Sequence, residues 1–351
     1  MTETTFSLRQ LDPQDGPAYA AVLAASPDTG AIGNAVRFEI DPYQALLALH
    51  KDTVGVVAET AGYEGLVGSG LLRFGQCQWE GEVRPSALLN TLVVHPDYRR
   101  RGLAAQLARW REAFAIRQAG EGGVIWAIIQ RNNTGSELTA RKWANQFLAS
   151  RLMFAPLRMR SMPPARTRLY EVRPAQPEDL DGVVEQLNRY YRDYNLYSPE
   201  SKSSLAAWLA ETPFDSPFRH YWIITDKAGS ILAGVGLAEN YRLRTTLITH
   251  LPAGLGVLNR VFHVVPANGE MREIALSRLW YAPGQMKAAR QLLETIRWEW
   301  REKATSMLLY ADVHSPVVHL LGVQDRLGKG LASIAVRADV PCTEGRLCYY
   351  A

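Results

Sequence analysis

The sequence has few cysteines, and their arrangement excludes two kinds of protein. Among its 351 residues there are three, Cys77, Cys342 and Cys348. Their number is odd and their spacing is not that of metal ligands, so neither a disulfide framework nor a cysteine-based metal site is expected. We predict reduced thiols, no bound metal and a cytoplasmic location.

Long apolar segments and a strong charge imbalance are also missing. No stretch approaches the roughly 18 uncharged apolar residues of a membrane-spanning helix, and the N-terminus, MTETTFSLRQ, does not resemble a signal peptide. The net charge is +4, from 39 basic and 35 acidic residues. Membrane insertion, secretion and general binding to nucleic acid are therefore not expected. With 47% hydrophobic residues the chain is typical of a globular protein, and its length predicts two domains.

The most informative segment is a short apolar run followed by a cluster of arginines. Leu88–Val94 has the composition of a strand buried on both faces. Apolar residues at helical spacing then predict a helix from about Gly102 to Gln118. The first N–H groups of that helix have no partner within it, and the arginines at 99–101 add positive charge beside them. The segment therefore predicts a site for phosphate or pyrophosphate.

The spacing in this segment excludes the common nucleotide-binding motifs. It lacks the Gly-Lys-Ser/Thr of a P-loop and the three glycines of a dinucleotide fingerprint. It resembles motif A of the GNAT superfamily of N-acetyltransferases, Val-x-Pro-x-x-[Arg/Gln]-x-x-Gly-x-[Gly/Ala]. The matching residues are Val94, Pro96, Arg99, Gly102 and Ala104. The alternative interpretation is a basic helix start on a solvated surface, or a patch that binds nucleic acid.

The resemblance implies transfer of an acetyl group from acetyl-CoA to an amine, on an α/β fold (an α+β mixed sheet) with helices on both faces. In this family the central strand splays from its neighbour, which leaves backbone groups for the cofactor. By position, the backbone of residues 92–94 would hold the pantetheine arm and direct an N–H to the thioester oxygen. The amides of residues 100–104 would bind the pyrophosphate. The implied cofactor-binding residues are Leu92, Val93, Val94, Arg99, Arg100, Arg101, Gly102, Leu103, Ala104 and Asn133.

Asn133 is included because it follows the next predicted strand, Val124–Ile129. It resembles the asparagine that begins motif B of the family, which often contacts the cofactor. Asn132 is equally well placed. The alternative role for both residues is to cap the following helix, which is predicted to run to about Leu148.

The sequence does not supply a conventional acid–base pair. Members of the family often carry a Tyr on the motif B helix, and residues 137–143 contain none. Many also carry a Glu or His on the central strand, but that face here presents Ser86 and Asn90, which are not bases near neutral pH. We expect the amine proton to leave through water held by Asn90, to Glu80 or Glu82 on the preceding loop, or to the second domain. The candidate catalytic residues are therefore Asn90 and Glu82.

The second half of the chain repeats the first. Arg173 and Asp179 align with Arg9 and Asp15 at one offset (173 − 9 = 179 − 15 = 164). A repeat of this length predicts a duplicated domain, with a boundary at the double proline of residues 163–164. We predict two tandem GNAT-like acyl-CoA N-acyltransferase folds: an N-terminal domain at 1–160, a linker at 161–167 and a degenerate C-terminal domain at 168–351.

The second copy is not expected to bind a cofactor. Met286 stands where the first copy has Gly102, and its bulk would crowd a pyrophosphate at the helix start. The second copy is also rich in tyrosines, which we interpret either as core residues or as the lining of an acceptor pocket. They are Tyr190, Tyr191, Tyr194 and Tyr197.

The predicted function is transfer of an acetyl group from acetyl-CoA to an amine of a small molecule or of a protein or peptide. The alternative is a non-catalytic module that binds acyl-CoA or regulates another protein. Neither a nucleic acid nor a membrane is expected as a partner.

Overall fold

The computed structural model describes residues 5–29, 33–165, 168–251, 265–322, 329–343 and 345–349, together with residues 254, 256, 259 and 325. None of the helices in these ranges is long and apolar enough to cross a membrane. The elements of the first half are β1 (Phe6–Gln10), α1 (Gly16–Ala25), β2 (Asp28–Thr29), β3 (Gly33–Phe38), α2 (Pro42–Leu49), β4 (Thr53–Thr60), β5 (Gly68–Trp79), β6 (Glu82–Val94), α3 (Leu103–Ala119), β7 (Val124–Gln130), α4 (Thr134–Ala140) and β8 (Gln146–Arg158).

The second half begins with a strand and a helix, as the first half does. Its elements are β9 (Tyr170–Pro174), α5 (Leu180–Tyr190), β10 (Tyr194–Asn195), α6 (Lys202–Ala210), β11 (Arg219–Asp226), β12 (Ile231–Ala238), β13 (Arg244–His250), β14 (Glu270–Met271), β15 (Glu273–Tyr281), α7 (Met286–Glu299), β16 (Ser306–Asp312), β17 (Gly330–Arg337) and β18 (Arg346–Leu347).

Twelve strands from both halves form one mixed sheet, in the order β1-β4-β5-β6-β7-β17-β8-β16-β15-β12-β11-β9. The predicted mixed α/β architecture is confirmed. At its centre the halves exchange a strand: β17 of the second half pairs with β7, and β8 of the first half lies between β17 and β16. A smaller sheet, β14-β13-β3-β2, also combines strands of both halves. The halves are therefore joined by backbone hydrogen bonds as well as by side chains.

The predicted domain boundaries at 160 and 168 stay predictions, and residues 166–167 of the predicted linker lie outside the described part of the chain. Two elements differ from their predicted bounds. The helix after Asn133 ends at Ala140 instead of about Leu148, because β8 is hydrogen bonded along both edges and this pairing outweighs local helix preference. The central strand β6 begins at Glu82, six residues before Leu88 (88 − 82 = 6), because its hairpin with β5 extends to the turn.

The same salt bridge stands at the first helix of each half. Two Arg9 nitrogens donate to the two carboxylate oxygens of Asp15 at 2.7 Å each, and those of Arg173 donate to Asp179 at 2.6 and 2.9 Å. Each carboxylate also accepts the backbone N–H three residues before it, at 2.9 and 2.7 Å. This shared geometry supports the duplication. The arginine hydrogen bonds are the main reason that the pKa values of both carboxyl groups are lowered.

We predict that these two sites contribute to acid stability. A carboxyl whose pKa is lowered by folding stabilises the protein fully above its unfolded pKa, near 4, and loses that contribution as pH falls through the folded pKa. Asp15→Asn and Asp179→Asn should each lower the free energy of unfolding by about 1–2 kcal/mol at pH 7. At pH 2–3 the free energy of unfolding of the variant with both substitutions should lie closer to that of the parent protein than it does at pH 7. Urea denaturation at both pH values measures this, with the exposed Asp193→Asn as control; an unchanged difference would contradict the prediction.

Candidate functional site

The central strand of the first half, β6, separates from its parallel neighbour β7 along half its length. The pairing covers only Ser86–Leu88 against Val124–Trp126. Residues 89–94 and 127–130 continue both strands without pairing to each other. This edge of β6 therefore offers backbone N–H and C=O groups to a ligand, since buried groups of this kind need partners.

A β-bulge turns β6 at the beginning of this gap. Leu71 of β5 lies opposite Asn90 and Gly70 lies opposite Leu92, so Thr91 has no partner in β5. The φ angle of Thr91 is +37°, which is rare for a β-branched residue. Asn90 Oδ1 accepts the Thr91 N–H at 2.9 Å and helps to hold this conformation. Bulges and strained residues of this kind concentrate at functional sites.

Arg111 of α3 supports the bulge from the buried side. One of its terminal nitrogens donates to the carbonyl oxygens of Asn90 at 2.8 Å and of Thr91 at 3.2 Å. A Cβ atom on Gly70 would lie 2.7 Å from Arg111 Cδ, so a glycine is needed there. Burial lowers the pKa of Arg111 to about 10, which leaves the side chain charged at neutral pH. Arg111 was not among the predicted site residues; the available signal was an arginine four positions after Leu107 on the apolar face of the helix.

Beyond β6, eight residues, 95–102, lead into α3. Arg100 and Gly102 have φ angles of +62° and +79°, in the left-handed region that favours glycine. A Cβ atom at Gly102 would meet no other atom within 4 Å, so the space beside the helix start is open. The first amides of α3 have no partner within the helix, and its dipole adds positive potential there. The predicted anion site is therefore accessible in this fold.

Three exposed arginines surround the helix start. Arg99 Nε donates to the carbonyl of Val94 at 3.1 Å, which ties the loop to the end of β6. The guanidinium of Arg101 lies over the ring of Tyr98, 5.2 Å from its centre. Within the described ranges, neither Arg99 nor Arg100 forms an ion pair with an acidic side chain. Their positive charge is thus available to a phosphate.

The structure groups the predicted cofactor-binding residues. Residues 92–94 form the unpaired end of β6, and residues 99–104 form the loop and helix start that follow it. Asn133 follows β7, whose end lies at the same edge of the sheet because β6 and β7 are parallel. Its Oδ1 accepts the N–H of Ser136 at 3.0 Å, so the side chain caps α4, as the alternative prediction held. Asn132 adopts a left-handed conformation with φ +70°.

The two predicted acids on the β5–β6 hairpin lie away from the bulge. Glu82 precedes Thr91 by nine residues (91 − 82 = 9), roughly 30 Å along a strand. Its carboxylate lies 2.8 Å from Arg84 and is 71% exposed. Glu80 accepts hydrogen bonds from Asn195 and Thr343 at the junction of the halves. Neither acid therefore lies beside the bulge.

Two adjoining cavities, of about 210 and 300 Å³, lie between the halves. The smaller one is lined by Asn90 and Thr91 of the bulge, and by Arg244 and Glu273 of the second half. The residues common to both cavities are Leu49, His50, Arg73, Asn240, Ala275 and Tyr349. The bulge thus opens onto a space whose size is typical of sites for small molecules.

Glu273 places a carboxylate in the smaller cavity. At the beginning of β15, Glu273 pairs with Ser306 of β16. Ser86 of β6 pairs with Val124 of β7 in the same way, so Glu273 is the counterpart of Ser86 in the second copy. Its Oε2 accepts a hydrogen bond from Thr246 Oγ1 at 3.0 Å. Burial raises the pKa of Glu273. Glu273 was not among the predicted site residues, although the sequence shows an acid at the beginning of the second copy's central strand.

His50 is another titratable side chain that lines this cavity. Its Nε2 lies 3.1 Å from a terminal nitrogen of Arg73, from which it accepts a hydrogen bond. Burial, and then the charges of Arg73, Arg219 and Arg244, hold the pKa of His50 well below its usual value. His50 is therefore neutral near pH 7, and its lone pair is occupied.

The corresponding gap in the second half is filled by tyrosines. β15 and β16 pair only over residues 273–275 and 306–308 and then separate. Tyr191 and Tyr194 line the remaining cavity of about 20 Å³, which has room for about one water molecule. The Tyr191 hydroxyl donates to the carbonyl of Leu279 at 2.5 Å, so that backbone group is already occupied.

The second half also lacks a counterpart of the loop at 95–102, but the reason is not the predicted replacement of Gly102 by Met286. Four residues, 282–285, connect β15 to α7, compared with the eight of 95–102. Met286 is the first residue of α7 and does not occupy the left-handed position of Gly102. A shortened loop, and not one bulky side chain, removes the site.

Comparison with known proteins agrees with this geometry. Residues 28–142 match the model of the acetyltransferase (GNAT) family. This segment is a GNAT domain. It contains the bulge, the loop at 95–102 and the first half of the site. No curated protein matches the sequence.

Solved structures extend the likeness to both copies. N-myristoyltransferase of Saccharomyces cerevisiae with bound myristoyl-CoA aligns with a TM-score of 0.63 at 13% identity, over 96% of this chain and 80% of that one. A GCN5-related N-acetyltransferase from Sphaerobacter thermophilus gives 0.61 at 14% identity, over 96% and 97%. A tandem GNAT protein from the clavulanic acid biosynthesis pathway gives 0.58 at 13%, over 97% and 100%. Identities this low establish a shared fold, that of tandem GNAT-like domains.

Proposed function

We propose that the protein is an N-acetyltransferase that transfers the acetyl group of acetyl-CoA to an amine. The observation that carries this proposal is the unpaired, bulged end of β6, which leads directly to an open helix start with three arginines. A thioester along residues 92–94 would place its carbonyl oxygen beside fixed backbone N–H donors, and a pyrophosphate would meet the amides of 100–104. The acceptor would enter from the cavities between the halves.

The polarity of the smaller cavity favours a short acyl group. An acyl chain that continued past the bulge into this space would meet His50, Arg73 and Arg244. Burying methylene groups against charged side chains gains little and costs the hydration of the charges. We therefore propose acetyl-CoA, although the yeast structure that shares this fold contains myristoyl-CoA.

Each half would contribute one part of the reaction: the first half stabilises the charge on the carbonyl oxygen, and the second half accepts the amine proton. Acetyl-CoA supplies the acyl group as a thioester. The amine nitrogen bonds to the carbonyl carbon, the C–S bond breaks with its electron pair leaving on the sulfur as the CoA thiolate, and the amine proton passes to Glu273, directly or through one water. Backbone N–H groups at the bulge stabilise the charge on the oxygen, and Asn90 keeps Thr91 in place. Holding both reactants in one cavity provides much of the acceleration.

Thiol release measured with acetyl-CoA and a panel of primary amines tests the proposal, with butyryl-CoA and myristoyl-CoA as competing donors. Amine-dependent release that is fastest with acetyl-CoA would support it. Tight binding of CoA with no turnover for any amine would favour the non-catalytic alternative. Faster transfer from myristoyl-CoA would contradict the choice of acyl group.

The cofactor site itself is tested by Gly102→Val. We expect the dissociation constant of CoA to rise at least about 10-fold, because a side chain would occupy the space that the pyrophosphate needs. Calorimetric titration with CoA measures this. Gly284→Val is a matched control, since Gly284 has φ +77° and its added Cβ would also meet no atom within 4 Å. Both variants carry similar backbone strain, so equal CoA affinities would contradict the proposed site.

A further inference from the structure

Arg244 differs from Arg219 and Arg278, two other arginines close to the acceptor cavities. Arg219 lies 2.8 Å from Glu211 and Arg278 lies 2.7 Å from Glu200, so both charges are paired. Arg244 is half-buried and lines the smaller cavity, yet it forms no hydrogen bond or ion pair with a residue that the structure describes. A half-buried guanidinium without an anion is costly, and a ligand that supplies one is the simplest remedy.

The neighbours of Arg244 show where such an anion would lie. Arg244 and Thr246 are two residues apart on β13, so their side chains share one face of the strand. Thr246 donates to Glu273, and Arg244 is close enough to lower the pKa of that carboxyl. An anion on Arg244 would therefore lie next to the carboxylate that is proposed to receive the amine proton. Asn90 and Thr91 line the same cavity on the opposite side.

The electrostatic potential in the smaller cavity is positive, which also favours an anionic ligand. The lowered pKa of His50 results from burial and from the charges of four arginines, Arg244 among them. Of the residues that the structure describes, one carboxylate, that of Glu273, and two arginines, Arg73 and Arg244, line the smaller cavity. A simple polyamine would enter this field unfavourably, whereas an anionic group would be attracted.

We propose that the acceptor is an amine that carries an anionic oxygen group close to its nitrogen, bound by Arg244. The closeness of Arg244 to Glu273 fits an α-amino acid, in which one carbon separates the nitrogen from the carboxylate. A phosphate near an amine presents the same chemistry, and a guanidinium binds either group through two parallel hydrogen bonds. This inference rests on the proposed N-acetyltransferase function and specifies its acceptor.

The test compares acceptors that differ only in the anionic group. Phenylalanine, tyrosine and tryptophan are each paired with their decarboxylation products, and phosphoethanolamine is paired with ethanolamine. We expect a carboxylated or phosphorylated member to exceed its partner roughly 10- to 100-fold in kcat/KM. Arg244→Gln should remove that preference mainly by raising KM. Arg189→Gln, at an exposed arginine on α5, should leave the preference intact.

Calorimetric binding of the same pairs, with CoA present, separates the two proposals. Binding of the anionic member that depends on Arg244, without turnover, would support the acceptor class and contradict the N-acetyltransferase function. Turnover of uncharged amines at equal or higher efficiency would overturn the acceptor class and leave the function standing. A preference that survives Arg244→Gln would also overturn the role of Arg244.

Discussion

Replacing Glu273 with glutamine is expected to lower kcat about 100- to 10,000-fold, with little change in the affinity for CoA. Glutamine keeps the size of the side chain and can still accept the hydrogen bond of Thr246, but it cannot take up a proton. CoA affinity should persist because the proposed cofactor site lies on β6 and α3, whereas Glu273 lies on β15. Initial rates of thiol release, with the best amine of the panel, measure the effect.

The pH dependence of the rate provides a second measurement. Burial raises the pKa of Glu273 above the ordinary value of 4.5. A general base works in its deprotonated form, so the rate should fall as pH drops through this raised pKa. The acid limb of the profile should therefore lie above pH 4.5 in the parent protein and be lost in Glu273→Gln. The charged and titratable groups that line the cavity with Glu273 are His50, Arg73, Arg244, Tyr310, Tyr349 and Tyr19.

Glu82→Gln is the matched control, since it makes the same substitution at the acid that the sequence suggested. Glu82 is largely exposed and lies at the far end of β6, so this variant should keep kcat within about 3-fold. A Glu273→Gln variant with the kcat of the parent protein would exclude Glu273 as the base. If Glu82→Gln alone lost activity, Glu82 on the β5–β6 hairpin would be the better candidate for the base.

The proposed cofactor side of the site could be inferred from the sequence because its residues are contiguous in the chain. Leu88–Val94 and the helix after Gly102 follow one another, and local spacing determines the strand, the turn and the helix start. The duplication was also visible, since Arg9 and Asp15 recur as Arg173 and Asp179. These features depend on neighbours that are close in sequence, which pattern analysis can read.

The acceptor side could not be predicted in the same way. Glu273 follows Asn90 by 183 residues (273 − 90 = 183), and contacts such as the exchange of β8 and β17 and the shared smaller sheet bring the two halves together. Pairings between strands far apart in sequence leave no local pattern. The predicted helix after Asn133 was too long for a similar reason, because the first residues of β8, 146–148, pair with β17 of the other half. The sequence left the second domain open as the source of the base, but it singled out no residue there, and the proposed base Glu273 lies in that half.

Replacing Arg111 is expected to produce the second large effect. Arg111→Met should lower kcat/KM about 100- to 1,000-fold, although the arginine touches neither the thioester nor the amine position. Its terminal nitrogen donates to the carbonyl oxygens of Asn90 and Thr91, and without it those groups lose a hydrogen-bond donor in a partly buried place. The bulge would then relax, and the N–H donors that depend on its shape would leave their positions. Arg111 is thus a positioning residue.

Two further variants distinguish positioning from general loss of structure. Arg111→Lys keeps a charged donor and should recover part of the activity. Gly70→Ala keeps the arginine but places a Cβ 2.7 Å from its Cδ, so it should displace the guanidinium and reproduce much of the loss. Arg109→Met changes an exposed arginine on the same helix and should have little effect. If Arg111→Met kept full activity in a folded protein, or if only its melting temperature fell, the bulge would not depend on Arg111, and the rigidity of β6 would have to come from its pairing with β5 alone.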